Sequence, residues 1–394
     1  MIVRRTLPEE NAAVNALFSV AFETAPENGP AREGCERLRH WGAFSDSGEL
    51  MSALSLTPFT IRFDGHACPM AGVGAVGTFP PYRRRGGVAA CFAEALPSLY
   101  RDGVLFSYLF PFSTAFYRRF GYESCVMRLA CTLDLGRLRT APSGGSFRLA
   151  TKEEPLSAAI RAVDRAWERR WNMEVLRGEE DYGWLKSVDP LKTREYLYVC
   201  FDAQGAPKAY TAFRTVQEPE GRDLVCSRLR FADRAGFRAL LGVFGSLAAD
   251  HRFAKFTLPS DPALPYLTEE WSLGAARFAL QPAGMVRAVN VRELLLRAAY
   301  RGSGALRLQI RDALIPENTG VFSLRFADGR AVSAERTEEK PDAAMDISAF
   351  SALIAGVCDF PGAGDWMDAL EVFDPAAPLE RVFYRKDMMI SEYF

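Results

Sequence analysis

The residues best placed to do chemistry lie between positions 70 and 89. Met70 to Phe79 is a strand candidate carrying Gly72, Gly74 and Gly77. So many glycines weaken a strand unless a bulge or a close backbone approach is wanted there. Pro80-Pro81-Tyr82 then leads into Arg83-Arg84-Arg85-Gly86-Gly87 and a helix beginning near Val88, whose apolar stripe is Val88, Cys91, Phe92, Ala95, Leu96 and Leu99. A helix N-terminus leaves backbone N–H groups unpaired and carries partial positive charge. Glycines ahead of it let a phosphate approach the main chain, and guanidinium groups add permanent charge with forked donors. Together they would make a diphosphate cradle. An arginine run alone is ordinarily a solvated face; the strand before it and the helix after it favour the cradle. A nucleotide P-loop is disfavoured because no GK[ST] follows, and the glycine spacing does not fit G-x-G-x-x-G.

A second constellation is Phe116-Tyr117-Arg118-Arg119-Phe120-Gly121-Tyr122, on a short helix from Ser113 to Phe120 closed by Gly121. A phenol with a pKa of about 10 can hand a proton to a departing thiolate; in isolation Tyr117 reads as a packed aromatic. The chain ends Glu392-Tyr393-Phe394. A terminal carboxylate with a pKa of about 3.5 is a weak base unless burial or a bridging water helps it, and most termini fray. Trp167 and Trp171, four apart, read as helix packing, and Asp164-Arg165 with Glu168-Arg169-Arg170 as a solvated helix face. Glu9, Glu10, Glu23, Glu27, Glu33 and Glu36 give the N-terminal region an acidic cast that a polyamine-like molecule would welcome, although solubility explains it equally. His40, His66 and His251 stand at no metal-ligand spacing, and the eight cysteines form no CxxC pair, so no metal is expected.

Around these residues the elements fall into three runs. At 394 residues the chain is too long for one ordinary core. The first run is helix, several strands, the Arg/Gly loop, helix, strand, helix, strand, opening with a Thr6-x-x-Glu9 capping box. Ala141-Pro142-Ser143-Gly144-Gly145 reads as a linker. A second run then repeats strand, strand, strand, helix, strand, with Ala232-Asp233-Arg234-Ala235 in place of the Arg/Gly loop. An acidic N-cap there would repel a phosphate, so this copy is expected to be non-catalytic. From about Val286 the pattern changes to a helix, a strand pair turning at Ala327-Asp328-Gly329-Arg330, and helical stretches near 348–357 and 364–373. The expected divisions are 1–140, 141–285 and 286–394.

A formal charge of −1 argues against a chain held globally to nucleic acid or an anionic membrane. The charged N-terminus lacks a signal-like apolar stretch, and no window approaches the roughly 20 apolar residues that span a bilayer. With scattered cysteines this suggests a cytoplasmic protein of reduced thiols.

The loop resembles that of the GNAT superfamily of N-acetyltransferases, whose Q/R-x-x-G-x-G/A signature binds the CoA diphosphate. Arg83-Arg84-Arg85-Gly86-Gly87-Val88 matches the arginine and first glycine and departs at Val88, where a small residue is usual. Eis (enhanced intracellular survival) type enzymes share the triple arginine and the aliphatic residue, so the resemblance is to that branch. It implies an α+β (α/β) protein of tandem GNAT folds, mixed central sheets flanked by helices, followed by a sterol-carrier-protein-like α+β domain. It also implies acetyl-CoA as donor and a primary amine on a cationic acceptor, aminoglycoside-like or a lysine side chain, attacking directly in a ternary complex. Val76, Gly77 and Thr78 would then pair with the pantetheine, Arg83, Arg84, Arg85, Gly86, Gly87, Val88 and Ala89 would surround the diphosphate, and Phe112 and Ser113 would line the thiol end. Tyr117 would be the acid and the Phe394 carboxylate the base. Eis-type proteins are typically hexamers. A lipid or small-ligand carrier with a vestigial cleft is the competing class, separated from the enzyme by whether acetyl-CoA binds.

Overall fold

The computed structural model describes residues 1–31, 37–138, 145–261, 275–364 and 367–392. In chain order its first part contains β1 (Ile2–Arg5), α1 (Asn11–Phe22), β2 (Arg39–Phe44), β3 (Leu50–Phe63), β4 (His66–Thr78), α2 (Gly87–Arg101), β5 (Phe106–Leu109), α3 (Thr114–Arg118) and β6 (Glu123–Ser124). There follow β7 (Met127–Asp134), β8 (Ser146–Leu149), α4 (Ser157–Arg170), α5 (Pro190–Thr193), β9 (Glu195–Phe201), β10 (Pro207–Glu218), β11 (Gly221–Phe231), α6 (Arg234–Ser246), β12 (Phe253–Pro259) and β13 (Ala276–Pro282). The last part holds β14 (Met285–Ala288), α7 (Val291–Arg297), β15 (Gly304–Arg311), β16 (Gly320–Ala327), β17 (Arg330–Thr337), β18 (Ala343–Asp346), α8 (Ile347–Ala355), α9 (Phe360–Gly364), β19 (Leu370–Val372) and α10 (Leu379–Val382).

These elements divide into two units, one of Met1–Val126 with Ala283–Phe394, the other Met127–Pro282. The first unit holds a sheet ordered β1-β2-β3-β4-β5-β14-β6 and a second ordered β17-β16-β15-β18-β19. The other unit is built on β13-β7-β12-β11-β10-β9-β8. The first unit's boundary at Val126 precedes the linker-like 141–145 stretch. Strand β7 serves the second unit's sheet, and β14 completes the first unit's by pairing antiparallel with β5 and β6.

In the first sheet β3 runs unbroken through Pro58, where the sequence suggests a break. Its β2 partner ends opposite Leu56, so Pro58 stands where the strand has become an edge, a place proline is tolerated. Helix α2 buries Cys91, Phe92, Ala95, Leu96 and Leu99 against Trp41, Met51, Leu54 and Leu56. Helix α1 seals Val14, Leu17 and Phe18 onto Phe44, Leu50 and Ala53. Each large side chain buried this way contributes about 1.5–3 kcal/mol before entropy is counted.

In the second unit the face of α4 expected to be solvated is partly buried. Asp164 accepts from Tyr210 Oη and Arg230 Nη1, both at 2.7 Å, while Arg177 Nη1 reaches Glu168 and Glu174 at 3.4 and 3.3 Å. These carboxylates can be buried because guanidinium and phenol donors meet them there. Trp167 and Trp171 pack on each other as expected, ring centroids 5.6 Å apart.

In the C-terminal part α8 is buried at every residue but Ser348. Residues 364–373, expected to be helical, instead contain β19, paired with β18. The β3–β4 hairpin tip is pinned to this part: Asp64 accepts from Ala299 N–H at 2.8 Å and from Lys386 Nζ at 2.5 Å. No helix among the described residues is long and apolar enough to cross a membrane.

Candidate active site

Two interruptions of the sheet open a cleft. Where β3 and β4 pair, the register slips between Ala53 and Ser55, and Ala75 opposite takes a left-handed φ of 48°. This is a bulge, which bends the strand and re-aims its groups. The parallel pairing of β4 with β5 ends at Val73 and Leu109, yet β4 continues to Thr78. From Gly74 onward β4 therefore keeps β3 on one edge and has no strand on the other.

A cavity of about 880 Å³ fills this space. Its walls include Val76, Gly77 and Thr78 from β4, then Tyr82, Arg83, Arg84 and Gly86 from the loop, and Gly87, Val88 and Ala89 from the first turn of α2. Ala21 and Phe22 of α1 close one side, with Phe112, Phe116 and Arg119 on another. Ala21, Phe22, Tyr82, Phe116 and Arg119 are not among the sequence-based candidates. The glycines have local reasons. A Cβ on Gly77 would stand 2.8 Å from Leu17 Cδ2 and 3.0 Å from Ala21 Cβ, so α1 lies against β4 there only because glycine does. A Cβ on Gly87 would meet Ser52 Oγ at 2.3 Å, and Gly86, the N-cap of α2, has φ 82°.

The electrostatics of the loop are one-sided. No side chain caps α2, so its first-turn amides face the cavity without an internal acceptor. Among the described residues no carboxylate lies within ion-pair distance of Arg83, Arg84 or Arg85, and none lines the cavity. Arg85 turns away over the Tyr82 ring at 5.5 Å and is not part of the lining. Uncompensated guanidinium groups beside free helix amides are a donor set suited to a diphosphate. The corresponding helix of the second unit is closed off. There the Asp233 carboxylate accepts from Gly236 N–H at 2.8 Å and pairs with Lys208 at 3.1 Å, so an internal anion already occupies the N-terminus of α6.

Ser113 does not line the cavity; it caps α3, accepting from Phe116 N–H at 3.3 Å. Tyr117 lies behind the lining, buried at 3% exposure, with ring centroids of Phe116 at 5.1 Å, Phe112 at 5.4 Å and Phe92 at 6.1 Å. Burial pushes its phenol up to about 12, so it stays protonated throughout the neutral range. Neighbouring Tyr122 differs, its hydroxyl held 2.6 Å from Ser107 Oγ. Phe394 lies outside the described residues. The described tail is docked at three residues: Met388, Met389 and Ile390 are buried, and Cys125 Sγ approaches Met388 Sδ at 3.6 Å. Among the described residues no group of three His, Cys, Asp or Glu side chains could hold a metal.

Residues 3–125, which contain the whole of this cleft, match the family model of the acetyltransferase (GNAT) domain. Those residues therefore form a domain of the GNAT acetyltransferase family. That family is one of acetyl-CoA-dependent acyltransferases, and the site's donors fit that cofactor's diphosphate. Residues 291–383 match the sterol carrier protein domain. Three solved structures resemble this chain over its full length. One is an Enterococcus faecalis protein described as "Probable N-Acyltransferase" (22% identity, 100% of this chain and 99% of that one, TM-score 0.87). The others are a GCN5-related N-acetyltransferase from Anabaena variabilis (19%, 100% and 100%, 0.86) and Eis1 from Mycobacterium abscessus (20%, 100% and 100%, 0.80). At these identities the likeness is one of fold: tandem GNAT folds followed by a sterol-carrier-like domain. Among curated proteins none matches the sequence.

Proposed function

We propose that this GNAT protein moves acetyl from acetyl-CoA to a primary amine on a cationic acceptor, an aminoglycoside-like molecule or a lysine side chain. The carrying observation is the pairing of uncapped α2 amides with unneutralised Arg83 and Arg84 at the mouth of the 880 Å³ cavity. Acetyl-CoA, when bound, supplies an activated thioester. The loop from Arg83 to Ala89 holds its diphosphate, and main-chain groups of Val76, Gly77 and Thr78 on the open edge of β4 align the pantetheine. Phe112 stands at the thiol end, and Ser113 acts through the cap of α3. Holding both reactants in one geometry is the larger catalytic gain.

Tyr117 donates its phenolic proton to the sulfur as the C–S bond breaks. The Phe394 carboxylate, carried by the docked tail, takes the proton released by the attacking amine. Glu23, directly after the lining residue Phe22, gives the mouth an acidic neighbour suited to a cationic acceptor. In this reading residues 1–140 are the catalytic portion, 141–285 a degenerate copy whose anion site Asp233 fills, and 286–394 the portion that presents the tail. A cytoplasmic hexamer is the corresponding assembly. The test is thiol release from acetyl-CoA against a panel of aminoglycosides, polyamines and lysine peptides. Release with a cationic primary amine supports the reading; binding of acetyl-CoA without release to any amine contradicts it.

A further inference from the structure

The most directional contact on the catalytic turn comes from the chain's C-terminal part. Arg287 on β14 has no exposed surface, and each end of its guanidinium is committed. Nε donates to the Phe120 carbonyl at 2.7 Å, Nη1 to Ala288 O at 2.8 Å, and Nη2 to both Asp312 oxygens at 2.7 and 2.9 Å. Asp312, directly after β15, also accepts from Leu314 N–H, Ile315 N–H and Asn318 Nδ2 at 2.9–3.1 Å. Asn318 in turn is fixed by Val289 O and Val291 N–H, both at 3.0 Å. Thus a rigid, fully partnered network in the C-terminal part ends on one carbonyl of the acetyltransferase part.

That carbonyl belongs to the turn that carries Tyr117. Phe120 N–H donates to Tyr117 O at 2.9 Å, and the Phe120 ring stacks on Phe92 at 4.4 Å. Gly121, at φ 81°, lies against the same side: a Cβ there would meet Ile347 Cγ2 at 2.6 Å and Arg287 Nε at 3.1 Å. Helix α3 is only five residues long and cannot hold its own shape. A buried ion pair is a poor source of net stability compared with apolar residues of equal volume; what it adds is direction. We infer that Arg287, braced by Asp312, is a positioning residue that fixes the Tyr117–Gly121 turn and so sets where the Tyr117 phenol stands behind the cleft wall. The sterol-carrier-like part then takes part in acetyl transfer indirectly, because its Asp312 braces the arginine that holds the turn of the acid.

This rests on Tyr117 being the proton donor, and the test separates the two ideas. Parent protein, Arg287→Lys, Tyr117→Phe and the double variant are compared by single-turnover acetyl transfer, by calorimetric acetyl-CoA affinity and by hydrogen exchange of residues 114–121. Lysine keeps the charge and loses the fork. The expected result for Arg287→Lys is a rate loss of roughly ten- to a hundredfold, with acetyl-CoA affinity within about twofold and faster exchange in 114–121. In the Tyr117→Phe background the same change should cost less than about twofold, because the positioned group is gone. Equal losses in both backgrounds would overturn the inference and leave Arg287 a structural residue. A Tyr117→Phe protein with the parent's rate would instead overturn the reading of Tyr117 itself. Should Arg287→Lys fail to fold, Asn318→Ala, which loosens Asp312 without touching Arg287, is put through the same cycle with the same two outcomes.

Discussion

Arg84 offers a perturbation that separates binding from folding. Its φ of 63° puts a non-glycine residue in the left-handed region, which costs about 1–2 kcal/mol. Arg84→Gly relieves that strain, while the extra freedom of glycine in the unfolded chain takes back about 0.5–1 kcal/mol. Stability should therefore stay within about 1 kcal/mol of the parent. The lost guanidinium has no internal partner among the described residues, so its removal frees no buried carboxylate to complicate the result. A charge-assisted bond to a phosphate is worth about 1.5–3 kcal/mol, or roughly 10- to 150-fold in affinity. Calorimetric titration should show acetyl-CoA binding weaker by that factor, with a melting temperature within about 4 °C of the parent's. A pantetheine fragment lacking the diphosphate should bind parent and variant alike. Unchanged acetyl-CoA affinity, or an equal loss for the fragment, would refute the cradle.

Tyr117→Phe should lower turnover by roughly 10²- to 10⁴-fold and leave acetyl-CoA affinity intact, measured by thiol release and calorimetry. Because burial holds this phenol at about 12, its ionisation should put no alkaline limb in the parent's rate profile below roughly pH 11. His40, buried with its Nδ1 2.8 Å from Ser55 Oγ, has its pKa pushed down from 6.5 to about 4 by burial. Between those values the unfolded chain binds the extra proton and the folded one does not, so stability is full above 6.5 and falls as pH drops towards 4. The loss is roughly 3 kcal/mol, checked by urea unfolding at pH 7 and 4.5, and His40→Asn should flatten that slope. One residue added after Phe394 should lower turnover without moving acetyl-CoA affinity; a fully active extended protein would remove the tail from the mechanism.

The loop and its flanking elements were legible because glycine, arginine and helical periodicity act locally, within some twenty residues of chain. The remaining walls were not. Phe22 and Phe116 read as ordinary stripe residues, and only the fold shows them facing the same space as Arg84. The exchange of β7 and β14 between sheets left no trace, since alternation marks a strand without saying which sheet it joins. Asp164 and Glu168 read as solvated because charges usually are; the partners of Asp164 stand far along the chain, at Tyr210 and Arg230, and that of Glu168 lies beyond the helix, at Arg177. The N-terminal cap slipped by one residue. Glu10 accepts from Leu7 N–H at 2.8 Å, where the pattern suggested Thr6 and Glu9, because Glu10 is also drawn into a two-pronged pair with Arg4. Arg287 carried no motif, and its partners Phe120 and Asp312 lie on either side of it in sequence.

The central claim is that residues 83–89 hold a diphosphate, and a crystal structure of the protein grown with CoA tests it most directly. The account predicts both phosphates within hydrogen-bonding distance of the main-chain N–H groups at the start of α2 and of the Arg84 guanidinium. A diphosphate seated elsewhere, with those amides and Arg84 facing only solvent, would contradict it.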